Sequence, residues 1–159
     1  MKKKTYLLAL LFFVIDLITK QVIIRIIDLH ESIKVIPKFF YLTYVKNTGA
    51  AFSILKDQQI LIMLITVIAL FMINKLLNNE KINKVELISY SMITGGILGN
   101  LFDRVVYGYV IDFFDFRFGS YHYPVFNMAD SFIVVGAIVL GIYSFIEYRR
   151  EYGNKSRRK

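Results

Sequence analysis

The sequence predicts a polytopic α-helical membrane protein: four transmembrane helices with a small outward-facing β-sheet at the membrane surface. Three observations predict it. Four apolar stretches approach the roughly 20 residues needed to cross a bilayer. Lysine and arginine gather at alternate flanks of those stretches. Two intervening segments are rich in aromatic and β-branched residues, which favour strands. The composition agrees, with 56% hydrophobic residues in a chain of 159 and a mean hydropathy of +0.51, against about 45–50% apolar residues in soluble domains.

The first stretch, about 5–27, follows Lys2, Lys3 and Lys4 and has the start of a cleavable signal sequence. It is too long for one, carries Asp16 and Lys20, and lacks a small-residue cleavage site, so it reads as a permanent span. The second runs over about 59–77, the third over about 85–103 and the fourth over about 127–148. Basic residues at the N-terminus, in the 75–84 loop and in the 149–159 tail place all three on the cytoplasmic side, which requires an even number of spans. Segments 28–58 and 104–126 then face outward. In the first of these, Phe39–Val45 is strand-like within the 33–55 region, and Asn47-Thr48-Gly49 signals a turn. In the second, 107–118 is strand-like between Gly108 and Gly119. No repeat or linker divides the chain, so 1–159 reads as one membrane-embedded domain.

The net charge of +8 lies on the flanks of the spans, so it reads as membrane topology and not as a nucleic-acid surface. With no cysteine, thiolate catalysis and disulfides are excluded. Two histidines, His30 and His122, leave no convincing metal site or histidine triad, so no metal or cofactor is expected. Chemistry falls to Asp, Lys, Arg, Asn and hydroxyl side chains.

An ionisable residue within a span is expensive, by about 2.5–3.5 kcal/mol on insertion scales, and is a functional candidate for that reason. Asp16, Thr19 and Lys20 share one face of the first span, where an Asp16–Lys20 ion pair would help the helix pack or position substrate. In the third, Gly95 and Gly99 permit close helix approach. Gly96, Asn100 and Asp103 form a second stripe at helical spacing. Asp103 beside Arg104 reads as a charged latch, and Asn100 equally as interhelical glue or as a binder of substrate backbone. Asn127 and Asp130, at i and i+3, open the fourth span as an N-cap with its first-turn acid. Asp112 and Asp115 precede it on the same side, and either is a candidate partner for Asp130. Two carboxylates brought together share a proton, so one activates water while the other donates, which hydrolyses an amide without a metal. In a strand Asp112 and Asp115 point to opposite faces, so only one of them meets Asp130.

Five blocks taken together resemble the bacterial lipoprotein signal peptidase (signal peptidase II) family across essentially the whole chain. They are Asp16-Leu17-Ile18-Thr19-Lys20, Lys46 through Phe52, Gly96 through Arg104, Val110-Ile111-Asp112-Phe113, and Phe126 through Ser131. The resemblance implies an aspartic endopeptidase that cleaves prolipoproteins before a diacylglyceryl-modified cysteine. It implies Asp112 and Asp130 as the catalytic pair, so it selects Asp112 over Asp115. Supporting or substrate-binding positions fall on Asp16, Lys20, Asn47, Gly49, Asn100, Asp103, Arg104 and Asn127. Asn47, Asn100 and Asn127 are suited to holding an extended peptide backbone, and the expected partners are prolipoproteins, membrane lipids and peptide-like or cyclic inhibitors. A bacterial cytoplasmic-membrane location with the site near the outer face follows. The competing readings are a small transporter, which would commonly show repeats and broken helices, and a non-enzymatic assembly factor docking through the sheet.

Overall fold

The computed structural model describes residues 2–49, 58–79 and 82–156. Ala50-Ala51-Phe52 of the second block, and the end of the 33–55 region, lie outside the described residues. Among the described residues, four helices are long and apolar enough to span a membrane: α1 (Lys2–Ile26), α2 (Gln59–Asn79), α3 (Lys84–Tyr107) and α4 (Met128–Ser156). Two strands follow α1 and two follow α3, and together they form an antiparallel four-stranded sheet in the order β1 (Ser32–Ile36), β2 (Phe40–Asn47), β3 (Val110–Phe118) and β4 (Tyr121–His122).

Local chemistry sets the helix ends. Asn83 caps α3 by accepting from the backbone N–H of Val85 and Glu86, while the Glu86 carboxylate accepts from the Asn83 N–H at 2.8 Å. The third span runs to Tyr107, four residues past the expected Asp103. Nothing before Gly108 stops the helix, and Gly108 takes the left-handed conformation (φ 76°) that ends it. Asp103 and Arg104 are tolerated inside the last turns because their side chains find partners. The strands of 33–55 divide into two, β1 and β2, around a turn with Lys38 at φ 63°, and Gly119 at φ 62° turns β3 into the short β4.

The third helix is the centre of the bundle. Its span is the least apolar, with a mean hydropathy of 1.2 against 2.0 or more in the others, and it has the largest buried share. A side chain at Gly95 would strike the Ala9 carbonyl and Phe12 on α1, and one at Gly96 would strike Ala129 and Ile133 on α4. Two adjacent glycines thus let one helix approach neighbours on different sides. By contrast α2 is peripheral, tied to the start of α1 by the Tyr6 hydroxyl donating to Asn74 (2.7 Å) and Lys2 donating to Asn78. Its outward residues, such as Ile60 and Phe71, are 73% and 66% exposed, as a lipid-facing surface requires.

The sheet packs on one end of the bundle. Ile111 and Phe113 of β3 and Tyr44 of β2 bury against Ile23 and Ile27 at the end of the first helix. Alternation therefore sends Val110, Asp112, Phe114 and Phe116 to the other face. A bulge in β2 decides what joins them. Leu42 pairs with Phe114 but Val45 pairs with Asp112, so two residues, Thr43 and Tyr44, stand opposite one. The extra residue brings Val45 and Asn47, and not Tyr44 and Lys46, onto the Asp112 face.

Candidate active site

Lys20 is the hub. It is 1% exposed, and its Nζ lies 2.8 Å from Asp16 Oδ2, 2.8 Å from Asp103 Oδ2 and 3.0 Å from Asn100 Oδ1. The expected Asp16–Lys20 pair is present, and Asp103 completes it as a buried triad. Thr19 shares the helix face but donates back to the Asp16 carbonyl at 2.8 Å. The carboxylates also reach backbone donors on other elements. Asp16 Oδ1 accepts from Ala129 N–H (2.8 Å), and Asp103 Oδ2 also accepts from Ile111 N–H (3.1 Å). A single cation thus fixes the start of the fourth helix and the start of β3 relative to α1 and α3.

The expectation that Asp103 latches onto Arg104 is corrected. Neighbours on a helix point about 100° apart, so Asp103 turns to Lys20 while Arg104 donates to the carbonyls of Asn100 (3.2 Å) and Gly49 (2.8 Å).

Above this triad lie the two aspartates. Asp112 Oδ1 accepts from Asn127 Nδ2 at 2.7 Å, and Asp112 Oδ2 accepts from Asn47 Nδ2 at 2.8 Å. Asp130 Oδ1 accepts from Asn100 Nδ2 at 2.7 Å, and its Oδ2 from the Asn127 N–H at 3.2 Å. In return Asn127 Oδ1 accepts from Asp130 N–H at 2.9 Å. Asn127 and Asp130 form the helix cap read from the sequence, and Asn127 also bridges Asp130 to Asp112. The three asparagine amides are therefore engaged on the carboxylates rather than held free for a peptide backbone. Asn47 is itself oriented by the Gly49 N–H, which donates to its Oδ1 at 2.8 Å. Burial at 2% exposure, and next the charge of Asp130, push the Asp112 carboxyl up to about 7, against the opposing pull of the two asparagine bonds.

Asp115 lies on the opposite face of β3, as alternation requires. It accepts from Thr43 Oγ1 (2.8 Å) and pairs with Arg117, whose guanidinium stacks on Tyr41 at 3.8 Å. Burial alone would raise its pKa, but the Arg117 and Thr43 bonds outweigh it and hold the carboxyl below the usual range. It braces the sheet away from the other carboxylates.

A cavity of about 640 Å³ opens beside the pair. Asn47, Asn100, Arg104, Asp112 and Asp130 supply its polar lining, and Phe116, Phe126, Ile133 and Val134 are among its apolar walls. Among the described residues no group of three or more His, Cys, Asp or Glu is placed to hold a metal ion. The partners absent from the sequence reading are backbone donors, Ala129 and Ile111. First-turn N–H groups are orphan donors by nature, so an acceptor for Ala129 was foreseeable, but its identity was not.

Residues 8–146 match the family model for signal peptidase (SPase) II. The lipoprotein signal peptidase of Haemophilus influenzae (strain PittGG) is 41% identical over 153 residues, covering 93% of this chain and 89% of that protein. That of Histophilus somni (strain 129Pt) is 44% identical over 142 residues, covering 86% and 85%. Among solved structures, a bacterial membrane enzyme determined by the in meso method at 2.3 Å superposes with a TM-score of 0.84 at 32% identity, over 91% of this chain and 88% of that one. A second, at 1.9 Å, gives 0.78 at 33% identity over 87% and 90%. With residues 8–146 matched by the family model and relatives 41% and 44% identical over most of the chain, the chain belongs to the signal peptidase II family.

Proposed function

We propose that this chain is an intramembrane aspartic endopeptidase that removes signal peptides from prolipoproteins, cutting before the diacylglyceryl-modified cysteine with Asp112 and Asp130. The observation that carries the reading is the pair itself: a buried carboxylate, Asp112, and a half-buried one, Asp130, from different elements, bridged by Asn127, beside a largely apolar cavity. One carboxylate takes a proton from water as the water oxygen bonds to the scissile carbonyl carbon. The other gives its proton to the carbonyl oxygen. Collapse of the resulting gem-diol breaks the C–N bond, the nitrogen leaves with the proton taken from water, and a hydroxyl proton returns to the donor. A dry, fixed set of dipoles strengthens each electrostatic step.

Asp16, Lys20, Asn47, Asn100, Asp103 and Asn127 support the pair, while Arg104 borders the cavity and Gly49 holds Arg104 and orients Asn47. The lipid-bearing cysteine suits a site where spans meet the sheet, because its acyl chains remain in the bilayer. The basic flanks place both termini in the cytoplasm and the sheet on the outer face of the bacterial cytoplasmic membrane. The whole chain acts as one domain, and peptide-like or cyclic inhibitors bind at the pair. In the test, purified Asp112→Asn and Asp130→Asn variants meet a diacylglyceryl prolipoprotein. Both are expected to fold normally and lose at least about a thousandfold in cleavage rate, within the range attributed to acid–base groups. Cleavage by either at near the parent rate would falsify the paired-aspartate mechanism.

A further inference from the structure

The two aspartates sit in unequal surroundings, and the difference leads back to Lys20. Its three ammonium protons are all engaged, two on Asp16 and Asp103 and the third on Asn100 Oδ1. That oxygen accepts a second bond from Asn127 Nδ2 at 3.0 Å. With its oxygen held by a cation and an amide, Asn100 cannot flip, and its NH₂ is committed to Asp130 Oδ1 at 2.7 Å. The other Asp130 oxygen receives a backbone N–H at the start of the fourth helix, where the helix dipole favours an anion. Asp112 has neither advantage. Its donors are two side-chain amides, from Asn47 and Asn127, and it stands on a strand.

The geometry points to Lys20 as a positioning residue for the pair: acting through the locked Asn100 amide, it keeps Asp130 as the ionised, water-activating member and leaves the shared proton on Asp112. This rests on the reading of Asp112 and Asp130 as the catalytic pair. The charged groups facing the pair are Lys20 from the first helix and Arg104 from the third, with Asp16 and Asp103 held against Lys20 behind them. From β2 the neighbour is the neutral Asn47, since Lys46 lies over the Tyr109 ring. The sign of the buried triad can therefore be changed without touching the aspartates that react.

The test reads the protonation of Asp130 directly, from the carboxyl carbon resonances of protein labelled with ¹³C-aspartate, the Asp130→Asn variant identifying the signal. Lys20→Met alone would strand two buried anions, so both informative sets carry Asp16→Asn and Asp103→Asn and differ only at Lys20. The neutral set is Asp16→Asn with Lys20→Met and Asp103→Asn. The cationic set is Asp16→Asn with Asp103→Asn, keeping Lys20. The two sets differ only at Lys20, so the ratio of protonated to ionised Asp130 is expected to be at least about tenfold higher in the neutral set than in the cationic set at the same pH, one pKa unit being a tenfold change. Adding Asn100→Ala to both sets should shrink that difference. A purely structural triad would give the same ratio in both sets, and that result overturns the inference. An undiminished difference in the Asn100→Ala background overturns the route through Asn100. Cleavage assays on Asp112→Asn and Asp130→Asn judge the catalytic pair separately.

Discussion

Replacing Asp112 by asparagine should change how stability depends on pH, and the structure gives the size. In the folded protein the Asp112 carboxyl titrates at about 7 rather than 3.8, because burial and then Asp130 disfavour its charge. The folded state thus holds a proton that the unfolded chain releases between those values, so stability falls as pH rises through the window and levels off above about 7. A difference of about three pKa units, at about 1.4 kcal/mol each, makes that loss about 4 kcal/mol. The amide of the Asp112→Asn variant has no such titration, so the variant should escape most of the decline. It carries a fixed, pH-independent penalty instead. Asn47 and Asn127 both present NH₂ groups to position 112, their oxygens being held by Gly49 N–H and Asp130 N–H. One of them would therefore face another donor, at about 1–3 kcal/mol. The assay is reversible unfolding of both proteins in detergent micelles from pH 4 to 8. The difference between the two curves should slope by several kcal/mol between pH 4 and 7 and flatten above, the titration belonging to the coupled pair. Parallel curves, offset but with no difference in slope, would refute the argument that Asp112 is held protonated by its surroundings.

Two other substitutions test placement. Gly96→Ala puts a methyl group against the Ala129 carbonyl and Ile133, so it should push the fourth helix away from the third, displace Asp130 and lower cleavage at least about tenfold, whereas Gly141→Ala meets nothing within 4 Å and should leave cleavage intact. Arg117→Met removes the partner of Asp115 on the far face of the sheet, so thermal unfolding should register a loss of about 1 kcal/mol with cleavage rates unchanged; a large loss of activity would mean that the far face takes part in the reaction.

Much of the molecule was legible because bilayer physics writes itself plainly into a chain. Apolar length and the positions of lysine and arginine marked the spans to within a few residues, except where the third helix continued past Asp103 to its glycine stop and the fourth continued past Tyr148 to Ser156. The spacing of Asp16 and Lys20, one helical turn apart, gave the ion pair that the structure contains. Asn127 and Asp130 could be read as a cap from local spacing alone, and they are one. The strand parity that separated Asp112 from Asp115 was equally local, and the two do stand on opposite faces.

What lay beyond the sequence were relations between elements far apart in the chain. Asp103 beside Arg104 suggested a pair by adjacency, but helical geometry turned one toward Lys20 and the other toward Gly49. Asn47 reaches Asp112 only because an extra residue in β2 reverses which side chains share that face. The asparagines, read as suited to a peptide backbone and Asn100 equally as interhelical glue, are engaged on the carboxylates, and the links that orient Asn100 through Lys20 and set Asn47 against Asp112 are not visible in a linear pattern. The sequence by itself determined the spans, the sheet-forming segments and the kinds of side chain available for chemistry, because those depend on periodicity and transfer energy along one segment. The tertiary structure alone decided which carboxylate meets which donor, because hydrogen-bond partners distant along the chain are chosen by packing.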